Sequence, residues 1–202
     1  MISLVIITLN QQEQLSKSLP LWLAQKDADF EICVVDKNSE DDTVRMLEDM
    51  EEEEYTNLRH IVIPRTAHGI NKDRLAVMLG IRGAVWNRMI IIRPHVIPPT
   101  EQWLREIADT WDPGKPILML PVLQGSKLTF RQRYAMYMAQ HGRAKWALGH
   151  AIGYSKDFFM SSGGFPGKTN LPTFNALVRY FSKPNNTQII KDAEHTLHSL
   201  VS

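Results

Sequence analysis

A single cysteine, Cys33, is all the thiol chemistry in this chain of 202 residues. One cysteine builds no disulfide framework, and Cys33 lies inside the apolar run Ile32 to Val35, which makes it a reduced core thiol and points to a reducing compartment. No stretch approaches the roughly 20 consecutive apolar residues that span a bilayer, and the opening MISLVIITLN lacks the basic start and the length of a signal peptide. The chain reads as soluble and cytoplasmic. No charge of either sign dominates: 23 Lys and Arg stand against 22 Asp and Glu. A global field that attracts polyanions is excluded, nucleic acid is not an expected partner, and any phosphate site must be local.

What is present is a globular composition, with 44% apolar and 22% charged residues, and an alternation of strand-like and helix-like segments. Ile2 to Ile7 is a continuous β-branched run, as in a parallel strand covered on both faces. Asn10 followed by Glu13 reads as the cap of a helix carrying Leu15, Leu19 and Leu23, which Pro20 should kink or split. Glu31 to Val35 is a second strand. Ser39 and Asp42 read as a capping box for a helix from Asp41 to Glu54, whose acidic end, Glu51 to Glu54, reads as a solvated face.

Leu58 to Ile63 is a third strand, and a helix from about Lys72 to Val85 shows one face at Leu75, Met78, Leu79 and Arg82. Met89 to Ile92 is a fourth strand that breaks at Arg93-Pro94-His95. Thr100 caps a helix through Ala108 with Trp103, Leu104 and Ile107 inward. Later segments read as a strand from Ile117 to Val122, a long amphipathic helix through Phe130, Tyr134, Tyr137, Met138 and His141, the segment Ala147 to Tyr154, a Gly163-Gly164-Phe165-Pro166 turn, a short helix from Thr173 to Phe181 and a terminal strand from Thr187 to Ile190.

This order predicts one α/β domain over 1–202 with an open, mainly parallel sheet flanked by helices and a Rossmann-like N-terminal half. Ligands of such sheets sit beyond the C-terminal strand ends. Here those ends are Thr8 to Asn10, Asp36 to Ser39, Arg65 to Gly69 and Arg93 to His95, expected to converge on one crevice.

The ordered segments ISLVIITLNQQEQL, FEICVVDKNSEDDT, LGIRGAVWNRMIIIRPHVIPPTEQWL and GHAIGYSKDFFMSSGGF together resemble the family 2 glycosyltransferases, which use the nucleotide-diphospho-sugar transferase (GT-A) fold. The resemblance implies a nucleotide-binding half over 1–100 and an acceptor half over 101–202, glycosyl transfer from a nucleotide sugar to a glycan or lipid-linked acceptor, a divalent ion (Mg or Mn) on the diphosphate, and a carboxylate base. It also implies nucleotide-site candidates at Thr8, Asn10, Asp36, Lys37, Asn38, Arg93 and His95.

At the positions that carry the family's chemistry, this chain differs. The tyrosine expected after the first strand is Leu9. Asp36 matches the first of two aspartates, and Lys37 replaces the second. Val77 and Met78 stand where an arginine and an asparagine precede the glycine that is Gly80 here. The metal-gripping Asp-x-Asp falls on Arg93-Pro94-His95, and GKTNLPTFN has no acid where the base is expected.

Hard cations need oxygen ligands, which Arg93 and Pro94 do not offer, and the exchange moves the local formal charge from about −2 to about +1. No metal or catalytic residue is therefore assigned. Arg93 and Lys37 can neutralise a diphosphate directly. Loss of a positioned base removes about 10²- to 10⁴-fold in rate.

Structural roles stand beside these readings: a salt bridge to Asp36 or a nearby Glu for Arg93, an exposed turn for Lys37, a loop imidazole bonded to a carbonyl for His95. His68, His141, His150, His195 and His198 show no paired ligand spacing. Tyr134, Tyr137 and Trp146 pack the core or line an acceptor groove, and Lys127, Arg131, Arg133, Arg143 and Lys145 form a solvated face or meet acidic lipid or glycan phosphate. Three functions follow: a catalytically impaired, glycosyltransferase-like binding or scaffolding domain, partnered by a glycan or another glycosyltransferase in polysaccharide assembly at the cytoplasmic face of a membrane; an active metal-independent transferase using Arg93 and Lys37; and a pure interaction domain.

Overall fold

The computed structural model describes residues 1–52, 55–66, 71–119, 151–164, 176–177, 187–190 and 197–199. Within them, β1 (Ile2–Thr8), α1 (Gln12–Leu23), β2 (Phe30–Asp36), α2 (Thr43–Glu52), β3 (Leu58–Val62), α3 (Lys72–Gly83) and β4 (Arg88–Ile92) follow one another as the alternating pattern predicts. A short β5 (Val96–Ile97), α4 (Trp103–Thr110), β6 (Ile117–Met119), β7 (Ala151–Ser155), α5 (Lys156–Ser161), β8 (Gln188–Ile190) and β9 (His198–Ser199) complete the described elements. The long helix expected through Phe130 and His141, the basic residues near it, Phe165 and the acid-free stretch Lys168 to Pro172 lie outside the described residues.

A seven-stranded sheet runs in the order β3-β2-β1-β4-β7-β6-β8. β3, β2, β1 and β4 are parallel, β7 runs antiparallel between β4 and β6, and β8 pairs parallel with β6. The expected terminal strand is therefore internal to the chain order, since β9 follows it and pairs antiparallel with β5. In-register pairing brings Thr8 opposite Asp36, and Ile6 opposite Ile92, so β1, β2 and β4 end at nearly the same level.

Both sheet faces are covered, which is why the strand sequences are continuously apolar rather than alternating. One face packs α1, α2 and α4 through Leu15, Leu19, Trp22, Leu47, Trp103, Leu104 and Ile107, all fully buried, with the two indoles edge to face at 5.5 Å. The other face packs α3 and α5 through Val77, Ile81 and Phe159 against Val5, Met89 and Ile91. Cys33 is buried and free, and burial pushes its thiol up to about 11, consistent with a core thiol rather than a nucleophile.

Several local expectations yield to tertiary partners. Pro20 neither splits nor ends α1, which runs unbroken through it. The buried side of α3 is Ala76, Val77, Gly80 and Ile81, while Leu75, Met78 and Leu79 sit partly buried at its flanks. Small residues win this face because helix and sheet approach closely: a Cβ on Gly80 would lie 2.4 Å from Val5 Cγ1.

Thr100 does not cap α4; its carbonyl accepts from Gln25 Nε2 at 2.7 Å, and Gln25 Oε1 accepts the Leu104 N–H at 2.9 Å. The helix start is thus held by a side chain from the turn after α1. Gly80→Ala should destabilise the protein by about 1–3 kcal/mol through overpacking, read as a lower melting temperature; unchanged melting would show that α3 can move away from β1.

Candidate functional site

At the C-terminal ends of β1 and β2, the backbone runs out of sheet partners, and one carboxylate takes over. Asp36 is fully buried. Its Oδ1 accepts the N–H groups of Asn38 and Ser39 at 2.8 and 2.7 Å, and its Oδ2 accepts the Ser39 hydroxyl. A buried carboxylate is tolerated because its lone pairs are met by fixed donors. These bonds fold the turn tightly enough to put Asn38 at φ 75°, a left-handed conformation that asparagine accepts more readily than most residues.

The same turn grips the loop after β1. Asn10, at φ 52°, donates its N–H to Ser39 Oγ at 2.8 Å and accepts the Glu40 N–H on Oδ1 at 2.7 Å. Neither Asn10 nor Ser39 caps a helix, contrary to the local reading, because each is engaged across the gap between the two loops. Asp41 does the capping instead: Oδ2 accepts the Gln12 N–H at 3.1 Å and Oδ1 the Thr43 N–H at 3.1 Å, so one carboxylate serves the starts of α1 and α2.

The end of β4 is shaped by α1. The Val96 N–H reaches the Arg93 carbonyl at 3.1 Å, closing a four-residue turn with Pro94 at the position where its fixed φ is preferred. Ser18 Oγ donates to the Pro94 carbonyl, and Trp22 Nε1 to the Val96 carbonyl at 2.8 Å. The proline in Arg93-Pro94-His95 is a turn former, and buried donors from α1 hold that turn so that both flanking side chains reach the crevice.

That crevice is a cleft of about 240 Å³ lined by Ile7, Gln11, Lys37, Asp73, Val77, Ile91, Ile92, Arg93, Pro94 and His95. Of the nucleotide-site candidates, Lys37, Arg93 and His95 line it; Thr8, Asn10, Asp36 and Asn38 do not. Thr8 is buried, its carbonyl accepting the Lys37 N–H at 3.0 Å, and Asp36 and Asn10 build the loop that carries Lys37. Arg65 and Thr66 are not among the lining residues, and 67–69 lie outside the described residues.

Gln11 and Asp73 escaped the sequence reading. Gln11 stands at the N-cap position of α1, and Asp73 in the first turn of α3, where acids favour the positive helix end. That common placement hides a long-range contact: Lys37 Nζ lies 2.7 Å from Asp73 Oδ1.

Burial lowers the proton affinity of Arg93, whose guanidinium nevertheless stays charged at any ordinary pH. Burial first, and then the Arg93 charge, lower that of His95. The side chains of Arg93 and Pro94 provide no oxygen ligand for a hard cation, and among the described residues no group of three or more His, Cys, Asp or Glu is gathered for a metal. Beyond α3, a wider groove of about 750 Å³ runs past Asn71, Arg74, Leu75 and Met78 to Phe159, Met160, Gly163 and Gly164.

An open, mainly parallel sheet with a cleft at the ends of β1, β2 and β4, and an antiparallel strand inserted beside β4, is the arrangement of the nucleotide-diphospho-sugar transferases, the GT-A fold. The sequence model described as glycosyl transferase family 2 matches residues 3–168, and the chain belongs to that family.

Solved structures with the same fold include a mannosyltransferase, PcManGT from Pyrobaculum calidifontis, in complex with GDP-Man and Mn2+ (TM-score 0.72, 14% identity, 100% of this chain and 57% of that one). Another is S. aureus TarS 1-349 (TM-score 0.70, 14% identity, 98% and 60%), and a third is the same protein in complex with UDP-GlcNAc (TM-score 0.67, 15% identity, 98% and 58%). The chain thus spans less than two thirds of the length of these structures. No curated protein matches it in sequence. No described helix is long and apolar enough to cross a membrane.

Asp36→Ala should cost about 2–3 kcal/mol, because two amides and a hydroxyl lose a charged acceptor; an unaltered melting temperature would show that the two loops do not depend on it. His95 yields a pH prediction. A folded-state proton affinity below the ordinary value of 6.5 means that the unfolded chain takes up the proton first, so stability falls as pH drops below about 6.5. His95→Gln should flatten that part of the melting-temperature profile, and an identical slope in both proteins would refute the assignment.

Proposed function

We propose that this family 2 domain binds a nucleoside diphosphate or nucleotide sugar through protein cations rather than through a metal ion, and that glycosyl transfer by the family's metal-and-base route is lost. The observation that carries this is the lining of the cleft by Lys37 and Arg93 together, and the resemblance that aligns Arg93-Pro94-His95 with the family's metal-gripping acids supports the same reading. Two fixed cations at strand ends supply the charge that a divalent ion would otherwise bring to a diphosphate. Mg and Mn are poorly served by this lining, because a guanidinium repels them, one imidazole is a weak ligand for Mg, and the carboxylate of Asp73 is paired with Lys37.

The cleft volume of about 240 Å³ lies below the roughly 300–1,000 Å³ of most small-molecule sites. It suits the diphosphate of such a ligand. The acid-free stretch GKTNLPTFN offers no base for the acceptor hydroxyl, so binding without turnover is the expected outcome. Such a domain acts as a binding or scaffolding partner, beside an active transferase or on a glycan, in polysaccharide assembly at the cytoplasmic face of a membrane. A second reading, an active metal-independent transferase, rests on the same two cations and differs only in turnover.

Thermal shifts separate these possibilities. UDP or GDP at about 100 times its dissociation constant should stabilise the protein by about 2.7 kcal/mol, equally with magnesium or with EDTA, and Arg93→Ala should remove the effect. Stabilisation that requires magnesium would overturn the metal-free site. Radiolabelled UDP-GlcNAc and GDP-mannose should remain intact in either buffer, and turnover in EDTA would establish the second reading.

A further inference from the structure

Lys37 already has an anionic partner in the cleft. Its Nζ lies 2.7 Å from Asp73 Oδ1, and its side chain is 20% exposed against 51% for Asp73. The pair bridges the turn after β2 and the first turn of α3, and both residues line the cleft with Arg93 and His95. The helix end does not need the Asp73 carboxylate as its cap. Asn71 performs that task, its Oδ1 accepting the Arg74 N–H at 3.1 Å. The side-chain contact that sets Asp73 apart is the one it makes with Lys37.

The placement has a consequence for any anion that enters. Lys37 cannot give its full charge to a ligand while Asp73 holds it, and an acid on the cleft wall repels the same ligand. An ion pair this open to water is biased towards closure by only about fivefold or less, so a diphosphate reaching both Lys37 and Arg93 displaces it, at some loss of affinity.

We infer that Asp73 is a built-in competitor for Lys37, an internal carboxylate that sets how tightly the cleft holds a diphosphate and yields Lys37 when one arrives. The inference rests on the reading of the cleft as a diphosphate site. It assigns a role in affinity to a residue on α3 that lies far along the chain from the strand-end turns.

Isothermal titration of the full chain in EDTA tests it, with inorganic pyrophosphate, UDP and GDP as probes and uridine as the uncharged control. Asp73→Asn should tighten the three anionic probes by about two- to sixfold and leave uridine unaffected. Lys37→Ala should weaken them, and Asp73→Asn added to Lys37→Ala should restore little, because the competition needs Lys37. Circular dichroism melts check that each variant is folded.

If the wild type binds and Asp73→Asn binds no tighter, the competitor role is overturned while the diphosphate site stands. The same gain with and without Lys37 also overturns it, since that result reports only the removal of a negative charge. If neither the wild type nor Asp73→Asn binds any of the three anions, the diphosphate reading falls, and the competitor role falls with it.

Discussion

Where parallel strands end together, their last amides and carbonyls have no sheet partner, and the structure depends on how that shortage is met at Asp36. The buried carboxylate collects the Asn38 and Ser39 amides and the Ser39 hydroxyl, and Ser39 passes the connection to Asn10 in the neighbouring loop. Without this hub, the loops after β1 and β2 would each have to satisfy their own polar groups, and the Lys37 side chain would have no fixed origin. Charge-assisted bonds to backbone amides are among the stronger hydrogen bonds in proteins, and burial raises the penalty for breaking them. Asp36 therefore acts through the shape of the loop.

A second constraint works from the opposite wall. α1 contributes Ser18 and Trp22, whose donors hold the carbonyls of Pro94 and Val96 and so set the direction of Arg93 and His95. α3 contributes Gly80, which allows the helix to lie against Val5 and brings Asp73 within reach of Lys37. The charged groups of the cleft come from three separated parts of the chain, and each rests on an apolar contact made elsewhere: the Trp22–Trp103 pair beneath one wall and the Gly80–Val5 approach beneath the other.

The apolar pattern and strand order build the GT-A fold, and the family model spans most of the chain. Lys37, Arg93 and His95, by contrast, line the cleft. Fold and site tolerate change differently for a physical reason. A core substitution is felt through close packing, whereas a cleft substitution is felt mainly by its charged neighbours and by what enters.

The sequence by itself determined the layer order, the strand cores and the set of cations at the strand ends. Continuous β-branched runs, helical spacing and an arginine at a strand terminus are local signals of burial and charge. Only the tertiary structure decided the caps, the buried face of α3 and the partner of Lys37. Asn10, Ser39 and Thr100 each look like helix caps within their own few residues, yet each finds a partner more than twenty residues away that a local pattern cannot register. Asp73 likewise reads as an ordinary first-turn acid until the sheet brings the turn after β2 alongside α3. Local sequence specifies which groups need satisfying, and long-range packing chooses which of them meet.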